Sequence, residues 1–299
     1  MSNYSTSKSR EAIPYYFSVF CLVAISSATF AKSSVWKVTQ GYNTVYLGGT
    51  CHLLRKADYP LPKEFDIAYA ASDELVFEVD PALVQSPEFA IRLMAESVYR
   101  DGRTLKSVLS AEAYEALSQQ AKKSNLPIEV IQNTKPGMAI MMLTLQEFSK
   151  AGVTQEGVDS HYHKKALRDN KPIASLETAD FQLDLITSLG DGNESEFVIY
   201  GIQDLDKIAV FFDTLIQAWK AGNLPTIEQL FVDDMKQYPE IYNQFVVERN
   251  KNWLPQIETM LMDAPTEYIL VGAGHMVGED GVIELLEAKG YEVSPVESR

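Results

Sequence analysis

The chain has little cysteine, little histidine and a shortage of positive charge. Its 299 residues hold two cysteines and four histidines, and 26 Lys+Arg face 41 Asp+Glu for a net charge of −15. Surplus negative charge repels phosphate backbones, which argues against nucleic acid as a partner. It argues equally against a polybasic hold on a membrane surface. The chain has no G-x-S-x-G elbow, no H-E-x-x-H helix and no G-x-x-x-x-G-K-[ST] phosphate loop. Gly272-Ala273-Gly274 with Gly278 has the spacing G-x-G-x-x-x-G, one residue too long for a dinucleotide turn. With 46% apolar and 22% charged residues, the composition is otherwise that of a globular chain. A disordered, collagen-like or polytopic membrane protein is excluded.

Long hydrophobic runs are also missing. The most apolar stretch, residues 15–25, falls short of the roughly 20 residues a spanning helix needs. It lies between Lys8 and Arg10 on one side and Ser26-Ser27-Ala28-Thr29-Phe30-Ala31 on the other. Basic, then apolar, then small is the order of a secretory signal. Residues 1–31 are therefore expected to be a signal peptide cleaved after Ala28 or Ala31, with a single membrane anchor as the alternative. The mature protein is expected in the periplasm or outside the cell, with no stable membrane span. Cys21 follows Ser18-Val19-Phe20 and lacks the small neighbour of a lipidated cysteine. After cleavage Cys51 is the one cysteine left, so an intramolecular disulfide or a C-x-x-C site is excluded.

Strands and helices alternate unevenly along the rest. The run TVYL at 44–47 ends in Gly48-Gly49 and predicts a buried strand running into a tight turn. Residues 63–71 predict a helix opened by Pro60 and Pro62, and ELVFEV at 74–79 a strand stopped by Asp80-Pro81. Helical spacing recurs over 89–99, 111–125 and 137–150, punctuated by Pro87, Pro127 and Pro136. Further helices are expected over 157–166, 178–189, 196–219, 226–232 and 239–262, with a short strand at 172–176. The loop 190–194 lacks the full ligand spacing of a calcium loop and reads as a turn. A strand at 267–271 (EYILV), a helix at 281–289 and a strand at 291–296 close the chain. The expected fold is α/β, α+β-like. Its mixed central sheet comes from the N- and C-terminal parts, and a large, mostly helical middle is inserted at about 86–262. Residues 32–299 are read as one domain.

The chemistry has few histidines to draw on. His52 closes Gly49-Thr50-Cys51-His52 after the first strand, and His275 closes Gly272-Ala273-Gly274-His275 after EYILV. Both are G-x-x-H at the carboxyl end of an expected buried strand, where open α/β sheets bind ligands. Two imidazoles from separate strands can hold a transition metal, or serve as base and electrophile. Glu78, at the end of ELVFEV, can reach the same edge. His52, Glu78 and His275 then make a metal shell with a position left open for water. Ligand type does not choose among zinc, manganese and cobalt. The plain alternative is that each histidine packs as an ordinary turn residue.

Other residues carry two readings. Glu177 is either a second carboxylate, as ligand or general base, or an acid at a helix N-terminus. Arg249 either holds a substrate carboxylate or pairs with Glu78 or Glu177, and the ion pair is favoured. His161 and His163 diverge on a helix and are expected to be exposed. Asp159 is expected to cap that helix, and Cys51 to pack as a small residue.

These motifs stand in a known order. LGGTCHLLRKADYPLPKEFDIAYAASDELVFEVD, ending at Asp80, and VGAGHMVGEDGVIELLEAKGYEV at 271–293 resemble the opening and closing segments of the TraB/PrgY/GumN family. Gly157-Val158-Asp159, Leu176-Glu177-Thr178 and Glu248-Arg249-Asn250 with Trp253 fit its pattern between them. The likeness runs from about Ser34 to Val293. It implies a distant similarity to Tiki proteins, which are metal-dependent proteases, and to erythromycin-esterase-like and ChaN-like folds. In Tiki proteins the paired G-x-x-H histidines and a glutamate form the metal site, and the matching residues here are His52, Glu78 and His275. Cys51 departs from the pattern, where many members carry an apolar residue. The leading expectation is a metal-dependent, peptidase-like hydrolase of peptide or small-molecule substrates. A divalent ion would sit on His52, Glu78 and His275, with Glu78, Glu177 and Arg249 catalytic. The alternatives are a non-enzymatic periplasmic protein binding a peptide or ligand in a groove of the helical middle, and metal or haem capture without chemistry.

Overall fold

Val, Ile, Leu and aromatic side chains gather in a few short runs, and those runs become the sheet. The computed structural model describes residues 33–203 and 205–298; the expected signal peptide at 1–31 lies outside the described residues. Among them six strands form one sheet: β1 (Val35–Gln40), β2 (Asn43–Thr50), β3 (Glu74–Phe77), β4 (Ile173–Ser175), β5 (Glu267–Gly272) and β6 (Glu292–Pro295). Their order is β4-β3-β5-β2-β1-β6. β5 is parallel to β2 and β3, and β3 to β4, whereas β1 is antiparallel to β2 and β6. The sheet is mixed, as expected, with N- and C-terminal strands at its centre. The helical middle adds only the edge strand β4.

Parallel pairing brings the carboxyl ends of β2, β3, β4 and β5 to one edge. Thr50 pairs with Gly272, and Phe77 pairs with both Leu270 and Ser175. The residues just beyond these ends therefore converge. β5 lies in the middle and is buried from Glu267 to Val271, as a parallel strand covered on both faces must be.

Several local expectations change. Gly48 and Gly49 do not turn; they pair inside β2 with Leu270 and Val271. A Cβ on Gly48 would stand 2.7 Å from Tyr268 Oη, so the glycine serves close packing. β1 was not expected, because VWKVTQ alternates only in part. It forms a hairpin with β2 through Gly41, at φ +61°. The helix expected over 196–219 is two, Glu194–Ile202 and Ile208–Lys220, separated by the 3-10 turn Leu205–Lys207. That break lowers Leu205 into a core. The region 239–262 contains a five-residue π-helical turn, Asn243–Val247, before the helix Glu248–Met260, and a second π-helical turn covers Gln229–Asp233.

Two apolar cores result. One packs on the sheet around Leu47, Phe77, Trp219, Trp253 and Leu270. The other lies within the helical middle, around Leu105, Leu117, Ile131, Leu143 and Val198. Helices of the middle open on side-chain caps: Ser86 accepts from the Phe89 amide with Pro87 in the first turn, and Ser110 accepts from Ala113. Among the described residues no helix is long and apolar enough to cross a membrane.

Candidate functional site

His52 stands two residues beyond β2, and its side chain is 56% exposed. The helix Val158–Asp169 starts against it, with Gly157 as N-cap. A Cβ on Gly157 would lie 2.2 Å from the His52 carbonyl, so only glycine lets the helix start so close. That approach sets Asp159 Oδ2 2.8 Å from His52 Nδ1, while Asp159 Oδ1 accepts from Thr50 Oγ1 at 3.1 Å. Asp159 is thus a partner of the site rather than the helix cap. A carboxylate accepts only, so His52 Nδ1 carries a proton. Nε2 then lies 3.7 Å from Glu78 Oε1. The Asp159 charge raises the ring's pKa to about 9, with Glu78 adding to the shift and Arg249 opposing it.

His275 sits in the 3-10 turn Ala273–Met276 and is buried. Its Nε2 is 3.0 Å from Arg249 Nη1. A guanidinium only donates, so Nε2 accepts and Nδ1 holds the proton. Nδ1–H donates to Asn250 Oδ1 at 2.7 Å. Asn250 is fully buried and donates from Nδ2 to the carbonyls of His275 and Asp280 at 3.2 and 2.7 Å. Burial presses the His275 pKa down to about 3; Glu78 opposes the shift and Arg249 adds to it.

Arg249 joins the two sides. Its Nη2 donates to Glu78 Oε2 at 2.6 Å, and its Nε and Nη2 donate to Glu177 at 2.8 and 2.9 Å. The ion pair favoured from the sequence is therefore a double one. Glu177 also accepts from Trp253 Nε1 and Gln182 Nε2. Glu78 Oε1 accepts from the Gly272 amide at 2.6 Å. Burial pushes the Glu78 carboxyl up, but Arg249, His52, His275 and that amide outweigh it and hold it well below the usual range. Burial pulls Arg249 down, and its two carboxylates more than restore it.

Gly272 marks the meeting point. A Cβ there would lie 3.3 Å from Glu78 Oε1, 3.5 Å from His52 Nε2 and 3.6 Å from His275 Cδ2. The donor set, two imidazoles and a carboxylate, suits a divalent transition ion. Among the described residues no group of three His, Cys, Asp or Glu side chains is arranged to hold a metal ion as it stands. The Arg249 guanidinium occupies two of the three donors instead.

The remaining candidates stand apart. His163 is not exposed: it is buried, with Nε2 3.3 Å from Asp80 Oδ1. The turn of helix that carries it packs inward under Phe77, 6.0 Å between ring centres. His161 leans on Tyr59. Cys51 is buried, and burial raises its thiol pKa far above the usual value, helped by Asp159 and Asp58. Asn250 and Asp159 were not singled out as partners of the histidines. Their signal was position alone, Asn250 beside Arg249 and Asp159 in the first turn after Gly157.

A model described as the TraB/PrgY/gumN family matches residues 34–295. The chain is 23% identical over 191 residues to a metalloprotease TIKI homolog of Nematostella vectensis, covering 52% of this chain and 40% of that one. It is 29% identical over 119 residues to a metalloprotease TIKI homolog of Amphimedon queenslandica, covering 38% and 23%. It is 21% identical over an alignment of 320 residues to metalloprotease TIKI2 of Danio rerio, covering 88% and 60%. The chain spans less than two thirds of the length of each. No solved structure matches.

Proposed function

Because the chain belongs to the TraB/PrgY/gumN family, we propose that it is a metal-dependent, peptidase-like hydrolase with His52, Glu78 and His275 as the ligands of one divalent ion. One observation carries this reading. Both histidines commit Nδ1 outward, to Asp159 and to Asn250, and both leave Nε2 turned toward Glu78 and Arg249. Outer hydrogen bonds of this kind are how metal-ligating histidines are oriented. The relatives' name, metalloprotease, supports the class.

When bound, a divalent ion supplies Lewis acidity toward a carbonyl oxygen and toward water. The chain's own residues do the rest. Glu78, held ionised, brings the negative charge a dication needs. Arg249 must release His275 for Nε2 to ligate, since one lone pair serves one partner. Glu177 still holds Arg249 through Nε and Nη2. The guanidinium then stays beside the site, where it stabilises charge building on a carbonyl oxygen. Glu177, filled by Arg249, Trp253 and Gln182, acts as a positioning residue.

The test is metal content by mass spectrometry. Protein purified without chelator is offered zinc, manganese and cobalt separately, beside His52→Ala/His275→Ala. Stoichiometric metal in the wild type and none in the folded double variant is the expected result. No metal in either, or equal metal in both, overturns the reading. The proposal places the mature protein outside the cytoplasm. N-terminal sequencing of protein from its native host should begin at Thr29 or Lys32, and an intact Met1 would refute export by cleavage.

A further inference from the structure

A cavity of about 300 Å³ opens directly on the histidines. Its floor is His52, Glu78, Gly272 and His275, and its walls include Phe148, Phe211, Phe231, Met235 and Phe245. All five wall side chains are half-buried, so they keep apolar surface turned to the opening. The charged groups in the lining are those of the site itself, and each already has a partner. A charged side chain entering from a substrate would find no free counter-charge.

The wall is built by unusual backbone. Phe231 belongs to the π-helical turn Gln229–Asp233, and Phe245 to the π-helical turn Asn243–Val247. Such turns are rare and often mark functional sites. Here both supply aromatic rings to one cavity. Phe231 packs on the second G-x-x-H turn: a Cβ on Gly274 would be 3.3 Å from Phe231 Cβ. It meets Phe211 edge to face, with ring centres 6.2 Å apart. The Phe245 carbonyl accepts from Arg249 Nη1 at 3.4 Å. Wall and site are thus joined at both π-helical turns.

We infer that this cavity is a specificity pocket for one large apolar or aromatic side chain of a peptide, on a residue adjoining the bond to be cut. The inference rests on the hydrolase reading above and deepens it. A volume of about 300 Å³ admits one large side chain and leaves room for the peptide backbone beside the histidines. A phenylalanine, leucine or tryptophan side chain entering it covers the half-buried rings and removes apolar surface from water. Hydrolysis adds water across the adjoining amide: the C–O bond forms at the carbonyl carbon, the C–N bond breaks, and the proton leaves on the amine.

Two experiments test the pocket, one without catalysis. In the first, N-acetyl-phenylalanine amide, N-acetyl-alanine amide and N-acetyl-lysine amide are titrated into the full mature protein, with and without metal, and followed by NMR. The phenylalanine compound should bind at least about tenfold more tightly than the other two. Phe231→Ala and Phe245→Ala should each remove most of that preference, while Phe231→Leu retains much of it. In the second, quenched fluorescent peptides that vary the residue on each side of the scissile bond are cleaved. The Phe-over-Ala ratio of kcat/KM at one of those positions should be on the order of 10- to 100-fold, of the size apolar pockets achieve. It should fall in both alanine variants, mainly through KM. Equal binding of the three amides, or alanine variants that keep the preference while folded, overturns the pocket. Protein that binds the phenylalanine amide selectively but takes up no metal and cuts no peptide keeps the pocket and overturns the hydrolase reading instead.

Discussion

Two buried glutamates at opposite edges of one sheet behave in opposite ways. Glu78 follows β3 at the carboxyl edge and Glu267 opens β5 at the amino edge. They are 8% and 5% exposed. Glu78 meets Arg249 and the Gly272 amide and stays ionised. Glu267 has an oxygen with no hydrogen-bond partner. Burial first, and the nearby Glu74, Asp263 and Asp73 after it, push its pKa up to about 7. Equal burial therefore does not set the charge; the partners do. The carboxyl edge keeps its charges at neutral pH, and that is where the candidate site lies.

The largest test removes the partner. Arg249→Ala should cost about 3–5 kcal/mol in urea denaturation at neutral pH, because it strands Glu78 and Glu177. Arg249→Lys should recover only part, since an ammonium cannot reproduce the guanidinium fork. Neutral-pH stability equal to wild type would erase the contrast between the edges. Asn250→Ala should cost about 2 kcal/mol, because it unpairs His275 Nδ1 and two buried carbonyls. The same denaturation series measures it.

The amino edge gives a pH signature. The Glu267 pKa of about 7 in the fold lies above the ordinary 4.5, so between those values the folded state keeps a proton that the unfolded chain releases. Wild-type stability should therefore fall relative to that of Glu267→Gln as pH rises through that window. Between pH 5 and pH 8 the variant should gain roughly 2–3 kcal/mol on wild type. Parallel pH profiles would show that Glu267 ionises freely. The smallest effect belongs to the exposed histidine. Asp159→Asn should change stability by less than about 1 kcal/mol, well below Asn250→Ala. A thermal-melt loss as large as that of Asn250→Ala would mean that the two G-x-x-H turns are equally braced.

Much of the site was legible because of where its residues fall on strands. His52, Glu78 and His275 follow three runs that read as buried strands, and parallel strands share an edge. Arg249 was legible as an ion pair, but not as the bridge between two carboxylates. Asp159 was misjudged as a cap because its partner lies 107 residues away in sequence. His163 was misplaced because helical spacing does not say which face a sheet will cover. The two π-helical turns left no periodicity to read, since one extra residue per turn is lost within an apolar segment.

By itself the sequence determined the element types, the apolar runs that make the parallel centre, and the stock of imidazoles and carboxylates placed at strand ends. These depend on neighbours a few residues apart, through side-chain period, proline and glycine. Tertiary structure alone decided which buried charge has a partner, which histidine is exposed, and which rings wall the cavity. Those outcomes depend on burial and on contacts across long stretches of chain, and both exist only once the sheet has brought its carboxyl edge together.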